Sequence, residues 1–277
     1  MQFYFQIFFN PIILLTIGFC FGSFVNVIIY RLPLEKSPLI ASSRCPKCNV
    51  RLSWIEKIPI LSWLILKGKC RLCKKNISIK YPLVEAFVGV LFVISSFSSP
   101  PIYLDQTLGL NNLYVVFGCL FSLVLVSISL IDLKHFWIPQ SLINVGFLLG
   151  LINLLNASYF NQELNLSIVI KSIWASLFSY IGFEIIRLLA KSFYKKEAMG
   201  KGDSKLASLV GLWLGPLGVI TSFYIAFISA AVTSILLVKS KKISLRNKIP
   251  FGPFLSFGAF IVWVFGFERF LNLISYY

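Results

Sequence analysis

Residues 112–131 read NLYVVFGCLFSLVLVSISLI, a run without a single charge, and Asp132 follows it directly. A membrane-spanning helix needs about 20 mostly apolar residues, so this run predicts a transmembrane helix with an aspartate at its end. The composition of the whole chain agrees, because 57% of its 277 residues are hydrophobic and only 13% are charged. Soluble domains carry roughly 25% charged residues. We therefore predict a membrane protein.

Further apolar runs extend this prediction to about eight transmembrane helices. Their approximate ranges are 9–30, 82–99, 112–131, 139–155, 167–189, 205–217, 218–238 and 251–274. The pair around Gly215-Pro216 fits either two short helices with a tight turn or one long broken helix. Because a helix satisfies its own backbone groups in lipid, the predicted fold class is an all-α polytopic membrane protein. No cleavable signal peptide is expected, since MQFYFQIFFNP lacks a basic n-region.

Lysine and arginine concentrate in a few segments between the apolar runs. Segment 31–80 holds twelve of them against two glutamates, and segments 191–205 and 239–248 hold five each. The segments without Lys or Arg are 1–10, 100–111 and 156–166. With eight spans every basic segment falls on one face, which the positive-inside rule assigns to the cytoplasm, leaving both termini outside. The net charge of +16 is then a membrane-protein bias, and no nucleic-acid partner is expected.

The longest segment between apolar runs contains two cysteine pairs. We divide the chain into a first transmembrane helix (1–30), a small cytoplasmic insert (31–80) and a transmembrane core (81–277). Within the insert, CPKC ends at Cys48 and CRLC begins at Cys70, a separation that fits a Cys₄ zinc site of the zinc-ribbon kind. The predicted ligands are Cys45, Cys48, Cys70 and Cys73.

A structural role for this zinc follows from the ligand count. Four cysteine ligands leave no open coordination position, and an insert of about fifty residues has too little core to fold easily without a metal. Redox-active or disulfide pairs and unmetallated thiols are the alternatives. A reducing cytoplasm disfavours disulfides.

Two aspartates lie in unusual settings. Asp132 ends the apolar run quoted above, and Pro139 follows seven residues later. Asp203 lies in MGKGDSKL, where Gly200 and Gly202 allow close approach of the backbone. Both are predicted at the cytoplasmic membrane boundary. An aspartic peptidase holds two carboxylates that share one proton, so we interpret these residues as a catalytic pair; the alternative is ordinary boundary charges or helix caps.

Motifs along nearly the whole chain resemble those of the bacterial prepilin peptidases, which are membrane aspartic peptidases with a GxGD motif. The matching stretches are GSFVNVIIYRLP (22–33), the CPKC and CRLC pairs, WIEKIPILSWL, ISIKYPLVEAF, the Asp132-to-Pro139 spacing, GKGDSKL and IPFGPFL (249–255). Two details depart from the pattern. Gln140 stands where an acidic residue is common, and Lys134 places a positive charge two residues after Asp132.

The resemblance implies a function for the pair Asp132 and Asp203. It implies an enzyme of the bacterial inner membrane that cuts the basic leader from prepilins or pseudopilins, with a structural zinc. Many such enzymes also methylate the new N-terminal residue with S-adenosylmethionine. No GxGxxG-like loop occurs, so no methyl-donor residues are predicted. The competing hypotheses are a proton-coupled transporter using buried acids and a zinc-ribbon docking module on a membrane anchor.

Overall fold

The computed structural model describes residues 10–38, 43–45, 47–98, 108–160, 166–195, 200–240 and 249–270. Within these ranges the regular structure is helical, and the only β-type pairings are two isolated bridges. The chain divides into two compact units, residues 1–97 and residues 98–277. The predicted all-helical fold is confirmed for the part of the chain that is described.

The first unit contains two long helices and a short one. They are α1 (Pro11–Arg31), α2 (Leu61–Ile65) and α3 (Lys80–Ser95), with 3-10 turns at Leu32–Leu34 and Ile55–Lys57. Helix α1 starts where Asn10 caps it, because its side-chain oxygen accepts the Ile12 amide at 2.9 Å and Pro11 occupies the first helical position.

Helices α1 and α3 pack antiparallel through close backbone contacts. A Cβ on Gly22 would lie 2.6 Å from the Cα of Glu85, which shows how near the two backbones come. One end of the pair is fixed by the Asn26 side-chain amide, which donates to the Tyr81 carbonyl at 3.1 Å. Small residues at such a contact are what membrane helices use to approach each other.

The described part of the second unit is a bundle of five helices. They are α4 (Leu108–His135), α5 (Gln140–Phe160), α6 (Leu166–Tyr194), α7 (Lys201–Lys239) and α8 (Gly252–Phe265). Helix α5 runs beside the first half of α7, where the Trp213 indole N–H donates to the Gly146 carbonyl at 3.0 Å.

Helix α7 is broken at Gly215, and the break reverses its direction. Gly215 has φ 69° and ψ −173°, a conformation that glycine adopts without a steric penalty, and Pro216 follows it. Before the break Ser208 hydrogen-bonds Ser176 of α6 at 2.9 Å, and a Cβ on Gly215 would lie 3.8 Å from the Ser172 hydroxyl. After it, the Phe223 ring packs 4.8 Å from Phe183, further along α6. The two arms of α7 therefore form a helical hairpin.

Aromatic rings hold the bundle together at one end. The Tyr114 and Trp263 rings stack with centroids 4.1 Å apart, and Trp213 contacts Trp263 edge-on at 5.5 Å. Asp132 lies eighteen residues after Tyr114 on α4, which is about 27 Å away along the helix. This length approaches the thickness of the hydrocarbon core of a bilayer. The aromatic cluster and Asp132 therefore lie toward opposite ends of α4.

Each predicted span overlaps a helix, although not every helix is long enough to cross a bilayer. Five helices are long and apolar enough: α1, α4, α5, α6 and α7. Helices α3 and α8 have 16 and 14 residues. The count of eight crossings therefore stays a prediction.

Orientation in the membrane stays a prediction as well. The charge of five segments decides the predicted orientation: 1–10, 100–111, 156–166, 191–205 and 239–248. Their residues lie either outside the described ranges or at helix ends. The end of the last predicted span, 271–274, also lies outside them. Helix α3 packs in the same unit as α1, and the proposed division at 30/31 and 80/81 remains a prediction.

Candidate active site and metal centre

Asp132 lies near the end of α4 and is buried, with 5% of its surface exposed. Its Oδ2 accepts a hydrogen bond from the backbone N–H of Gly252 at 3.0 Å. Gly252 is the first residue of α8, and the first N–H groups of a helix have no partner within it. The carboxylate therefore caps a helix that comes 120 residues later in the chain, where the helix dipole favours a negative charge.

A side chain at position 252 would displace the Asp132 carboxylate or the start of α8. A Cβ there would lie 2.6 Å from Oδ2 of Asp132 and 3.2 Å from its carboxyl carbon. Real Cβ atoms essentially never come within 3.0 Å of another heavy atom. The GP dipeptide Gly252-Pro253 thus starts α8 and leaves room for the carboxylate at the same point.

Asp203 occupies the start of the hairpin helix α7. It is the third residue of the helix and is buried, and its Oδ2 accepts the Gly200 N–H at 3.2 Å. The neighbouring Gly202 faces Ile138, whose Cβ would be 2.9 Å from a Cβ at that position. This contact brings the start of α7 against the loop that follows Asp132.

The structure brings the two predicted aspartates together. Asp132 and Asp203 lie near enough for the charge of Asp132 to act on Asp203. Each binds an amide through Oδ2, and in the described part of the chain no hydrogen bond reaches Oδ1 of either residue. Capping therefore uses Oδ2 of each carboxyl group, and Oδ1 of each has no hydrogen bond within the described residues. The helix-cap interpretation describes part of their geometry and does not conflict with a catalytic pair.

Three features of the site were missed from sequence. The Gly252 amide was one, although the block IPFGPFL pointed to its neighbourhood. The exposed rings of Phe136 and Trp137 beside Asp132 were another, with Phe136 at a φ of 54° that signals a tight turn. The third is a contact of Gln140, which accepts a hydrogen bond from the Lys205 ammonium group. Lys134 forms no ion pair with Asp132 in the described structure.

The four predicted zinc ligands form one cluster. Their sulfur atoms all lie within 4.8 Å of one another, with Cys45 to Cys73 and Cys48 to Cys70 both 4.0 Å apart. A disulfide would place two sulfurs about 2.05 Å apart, so these four are free thiols. A tetrahedral zinc with Zn–S bonds of about 2.3 Å separates its sulfurs by about 3.8 Å. The cluster therefore fits a zinc ion.

Two similar backbone turns build this cluster. In the first, the Cys45 N–H donates to the Val50 carbonyl at 2.9 Å and Asn49 has a φ of 58°. In the second, the Cys70 N–H donates to the Lys75 carbonyl at 3.0 Å and Lys74 has a φ of 53°. The second turn therefore repeats the geometry of the first, as the two halves of a zinc ribbon do.

The thiols of the cluster differ in acidity. Backbone N–H groups of Cys73 and Leu72 donate to the Cys70 sulfur and lower the pKa of that thiol to about 7. The Val50 amide lowers the pKa of Cys48, but burial and the other three cysteines outweigh it and raise that pKa to about 11. Zinc binding must then displace the Cys48 proton.

Two other acids on apolar helices, the half-buried Glu184 and the buried Glu85, have partners. Oε2 of Glu184 pairs with Arg187 at 2.7 Å within α6. Oε2 of Glu85 accepts the backbone N–H of Ile60 at 2.7 Å. Neither belongs to the pair formed by Asp132 and Asp203.

Comparison with known proteins gives matches along most of the chain. Residues 16–98 match the bacterial peptidase A24 N-terminal domain, and residues 119–235 match the type IV leader peptidase family. No solved structure matches significantly.

Named relatives cover similar lengths. The "Type 4 prepilin-like proteins leader peptide-processing enzyme" of Escherichia coli O78:H11 is 31% identical over 267 residues, covering 90% of this chain and 91% of the relative. The "Prepilin leader peptidase/N-methyltransferase" of Stutzerimonas stutzeri is 30% identical over 275 residues, covering 91% and 89%. That of Myxococcus xanthus is 33% identical over 227 residues, but the chain covers only 63% of its length.

Proposed function

Because this chain belongs to the type IV leader peptidase family, a family of enzymes, we propose that it is a membrane aspartic endopeptidase that removes the leader of prepilins or pseudopilins. The relatives' names support the substrate class. We further propose that Asp132 and Asp203 are the catalytic residues. The observation that carries this second step is that two buried carboxylates, on helices far apart in sequence, lie near enough for the charge of one to act on the other.

The chemistry of such a pair is general acid–base catalysis. One carboxylate takes a proton from a water molecule, whose oxygen attacks the scissile carbonyl carbon. The protonated partner hydrogen-bonds the carbonyl oxygen and stabilises the developing oxyanion. A proton then passes to the departing amine as the C–N bond breaks. Since the two groups titrate as a unit, the acid and base roles belong to the pair.

The surroundings of Asp132 and Asp203 suit this reaction. Amide donors from Gly252 and Gly200 hold one oxygen of each carboxyl group in place, which limits the motion of both. The second oxygens are free to bind water and substrate. The site lies at the end of α4 that the charge pattern assigns to the cytoplasm, where a basic leader would wait to be cut. We propose the bacterial inner membrane as the location.

The direct test is leader removal from a co-expressed prepilin, followed by gel mobility. The variants Asp132→Asn and Asp203→Asn each keep an oxygen that can accept the capping amide, so the helix starts are preserved while the acid–base group is lost. We expect processing to fall by about 10²–10⁴-fold in each. Glu184→Gln is the matched control, because it changes a half-buried acid on an apolar helix that is paired with Arg187, and it should process normally.

Normal processing by either aspartate variant would contradict the assignment of the pair. Loss of processing in all three variants, with loss of folded protein, would show that carboxylates at membrane depth serve stability here. The proton-coupled transporter alternative receives no support from the comparisons.

We also propose a structural zinc held by the four clustered cysteines. The backbone turns at Cys45 and Cys70 orient the sulfurs, and the metal would supply cross-linking to an insert with little core. Metal analysis of purified protein should give about one zinc per chain. Its absence, together with free alkylation of Cys45 and Cys70 in the native protein, would contradict the proposal.

Methylation of the new N-terminal residue is a second proposed activity, since the relatives carry N-methyltransferase in their names. The described residues contain no β-sheet, so they offer no Rossmann-type site for S-adenosylmethionine, and we assign no donor-binding residues. Mass spectrometry of the processed pilin tests this activity: an added methyl supports it, and an unmodified N-terminus in the presence of the donor contradicts it.

A further inference from the structure

One edge of the zinc-binding insert, residues 54–65, carries large apolar side chains that are open to the surroundings. We name this segment the apolar edge. Its most exposed members are Trp54, Ile55, Leu61, Leu64 and Ile65, all more than half exposed, with Trp54 at 86% and Ile65 at 70%. So many exposed apolar side chains within twelve residues indicate an interaction site.

The apolar edge is held firmly in place at one end. The Glu56 carboxylate accepts the Ser53 N–H at 2.7 Å through Oε2, while its Oε1 lies 3.4 Å from Nε of Arg71 on the second cysteine turn. The Ser53 amide lowers the pKa of Glu56 most, and Arg71 lowers it further. The Glu56 carboxylate that joins Ser53 and Arg71 is therefore charged at neutral pH.

Its other end is fixed by an inward-facing ring. Trp63 donates its indole N–H to the Ile77 carbonyl at 3.1 Å and packs on Gly68. Trp63 thus points into the insert while its neighbours Leu61, Leu64 and Ile65 point out. The exposed side chains therefore belong to a segment whose backbone is fixed by hydrogen bonds and packing.

The middle of the apolar edge reaches down to the level of helix α3. The Ile60 N–H donates to Oε2 of Glu85, and Glu85 lies five residues, or about 7 Å, inside the start of α3. Ile60 adopts φ 60° and ψ −53°, with the Leu61 N–H donating to the Pro59 carbonyl at 2.5 Å. This is a strained γ-turn for a β-branched residue, and the Glu85 bond helps to hold it.

The helices around Glu85 show that this level is apolar. Leu83 and Phe87 of α3 are both exposed, as expected of side chains that face lipid. Lys80-Tyr81 lies about one turn further out on α3, and Tyr30-Arg31 lies about two turns beyond Gly22, the residue of α1 that contacts Glu85. Aromatic and basic residues together are typical of a membrane boundary. The Ile60 N–H therefore bonds a side chain that leaves its helix on the apolar side of these residues.

Charge complements this apolar surface. Residues 51–80 contain eight Lys or Arg against one glutamate. Lys57 lies with its ammonium group 4.8 Å from the centre of the Trp54 ring, so a cation accompanies the most exposed aromatic side chain. Apolar side chains beside lysines and arginines are the composition of segments that lie in the interface of an anionic membrane.

We propose that the apolar edge lies in the headgroup and outer acyl region of the anionic bilayer that holds α1 and α3. The insert is then an interfacial domain, anchored through Trp54, Ile55 and the residues around the Ile60 turn. Lipid is the occupant that explains the exposed apolar side chains, the bond from Ile60 to Glu85 and the positive charge together.

Fluorescence quenching of the full-length protein in vesicles tests the proposal. The signal of Trp54 is the difference between the wild-type chain and Trp54→Phe. In vesicles of phosphatidylcholine and anionic phosphatidylglycerol, lipids brominated near the top of the acyl chain should quench most of this signal. Water-soluble acrylamide should quench little of it. Vesicles of phosphatidylcholine alone should give weaker bromolipid quenching.

Asn76→Trp in the Trp54→Phe background is the matched control. Asn76 is exposed beside Lys74 and Lys75 on the second cysteine turn, outside residues 54–65, so a tryptophan there should respond to acrylamide and not to bromolipid. Acrylamide quenching of Trp54 as strong as that of this control would place the edge in water and overturn the proposal. Resistance to both quenchers would reveal a covering protein, a second copy or a partner, and would overturn it too.

The Glu85 bond gives a second and independent readout. Glu85→Ala removes the acceptor of the Ile60 N–H, so Trp54 should become more accessible to acrylamide in the anionic vesicles. Glu85→Gln keeps an acceptor oxygen and should retain the wild-type quenching. Equal accessibility in both variants and the wild type would contradict the role of Glu85 in setting the depth of the edge.

Discussion

The cysteine cluster and the aspartate pair are assembled in opposite ways. Each cysteine turn closes locally, through bonds such as that from Cys45 to Val50, and both turns belong to one short insert. The aspartates come from two different helices, α4 and α7, and Asp132 binds an amide 120 residues away. Spacing along the chain therefore reveals the first site, whereas the second depends on how the bundle packs.

We expect the largest effect from a substitution that removes a ligand from the cysteine cluster, the site that is assembled locally. Cys70→Ser removes one of four zinc ligands, and structural zinc contributes on the order of 10 kcal/mol to the folding of such small units. We expect zinc loss and rapid tryptic cleavage within the lysine-rich insert. Fragments containing the bundle of residues 98–277 should stay resistant, because that unit has its own packed core.

Limited proteolysis with metal analysis checks this prediction. Cys20→Ser is the control, because Cys20 lies on α1 outside the cluster and should leave both zinc content and cleavage unchanged. A Cys70→Ser insert that resists trypsin as the wild type does would mean that its fold does not depend on the metal.

A smaller effect should follow from one methyl group at the long-range site. Gly252→Ala places a Cβ 2.6 Å from Oδ2 of Asp132, so the carboxylate or the start of α8 must move. A shift of about 1 Å at a catalytic group costs about 10²-fold in rate. We expect that loss in a leader-cleavage assay, with the cysteine cluster and its zinc unaffected.

Gly182→Ala is the matched control for this change. Gly182 lies within α6 and has nothing within 4 Å of the added Cβ, so alanine there should leave cleavage unchanged and slightly favour the helix. Full activity of Gly252→Ala would show that the contact with Asp132 is not needed for positioning.

The smallest effect should come from restoring the acid that family members commonly carry after the proline. Gln140 accepts a hydrogen bond from Lys205 and donates to Asn144 at 2.8 Å, so Gln140→Glu turns the first contact into an ion pair. At this exposed position the gain should be under about 1 kcal/mol. Thermal unfolding in detergent at low and high salt measures it; destabilisation at low salt would contradict the pairing.

Much of this architecture could be predicted from the sequence. Apolar run lengths located every long helix, and Gly215-Pro216 located the break of α7, because a glycine at positive φ followed by proline rarely continues a helix. The CxxC spacing located the metal cluster. The burial of Asp132 and Asp203 followed from their position at the ends of apolar runs.

Other features could not be predicted because they depend on distant parts of the chain. The residues around Asp132 do not indicate that it binds the Gly252 amide, because that contact requires α4 and α8 to pack antiparallel. The bond from Ile60 to Glu85 is similar, since it joins residues 25 positions apart. At Gly215-Pro216 the sequence left open a tight turn or one broken helix, and the contacts of α7 with α6 decide for the turn.

The bond between Gly252 and Asp132 has a consequence for the timing of synthesis. The 120 residues between them take about 6–24 s to add at roughly 5–20 residues per second. Throughout that interval Asp132 has emerged without the amide that fixes it, and Asp203 appears partway through. Under the proposed function, a nascent chain therefore lacks the amide that positions Asp132 until α8 is made, which limits the cutting of neighbouring proteins by an unfinished enzyme.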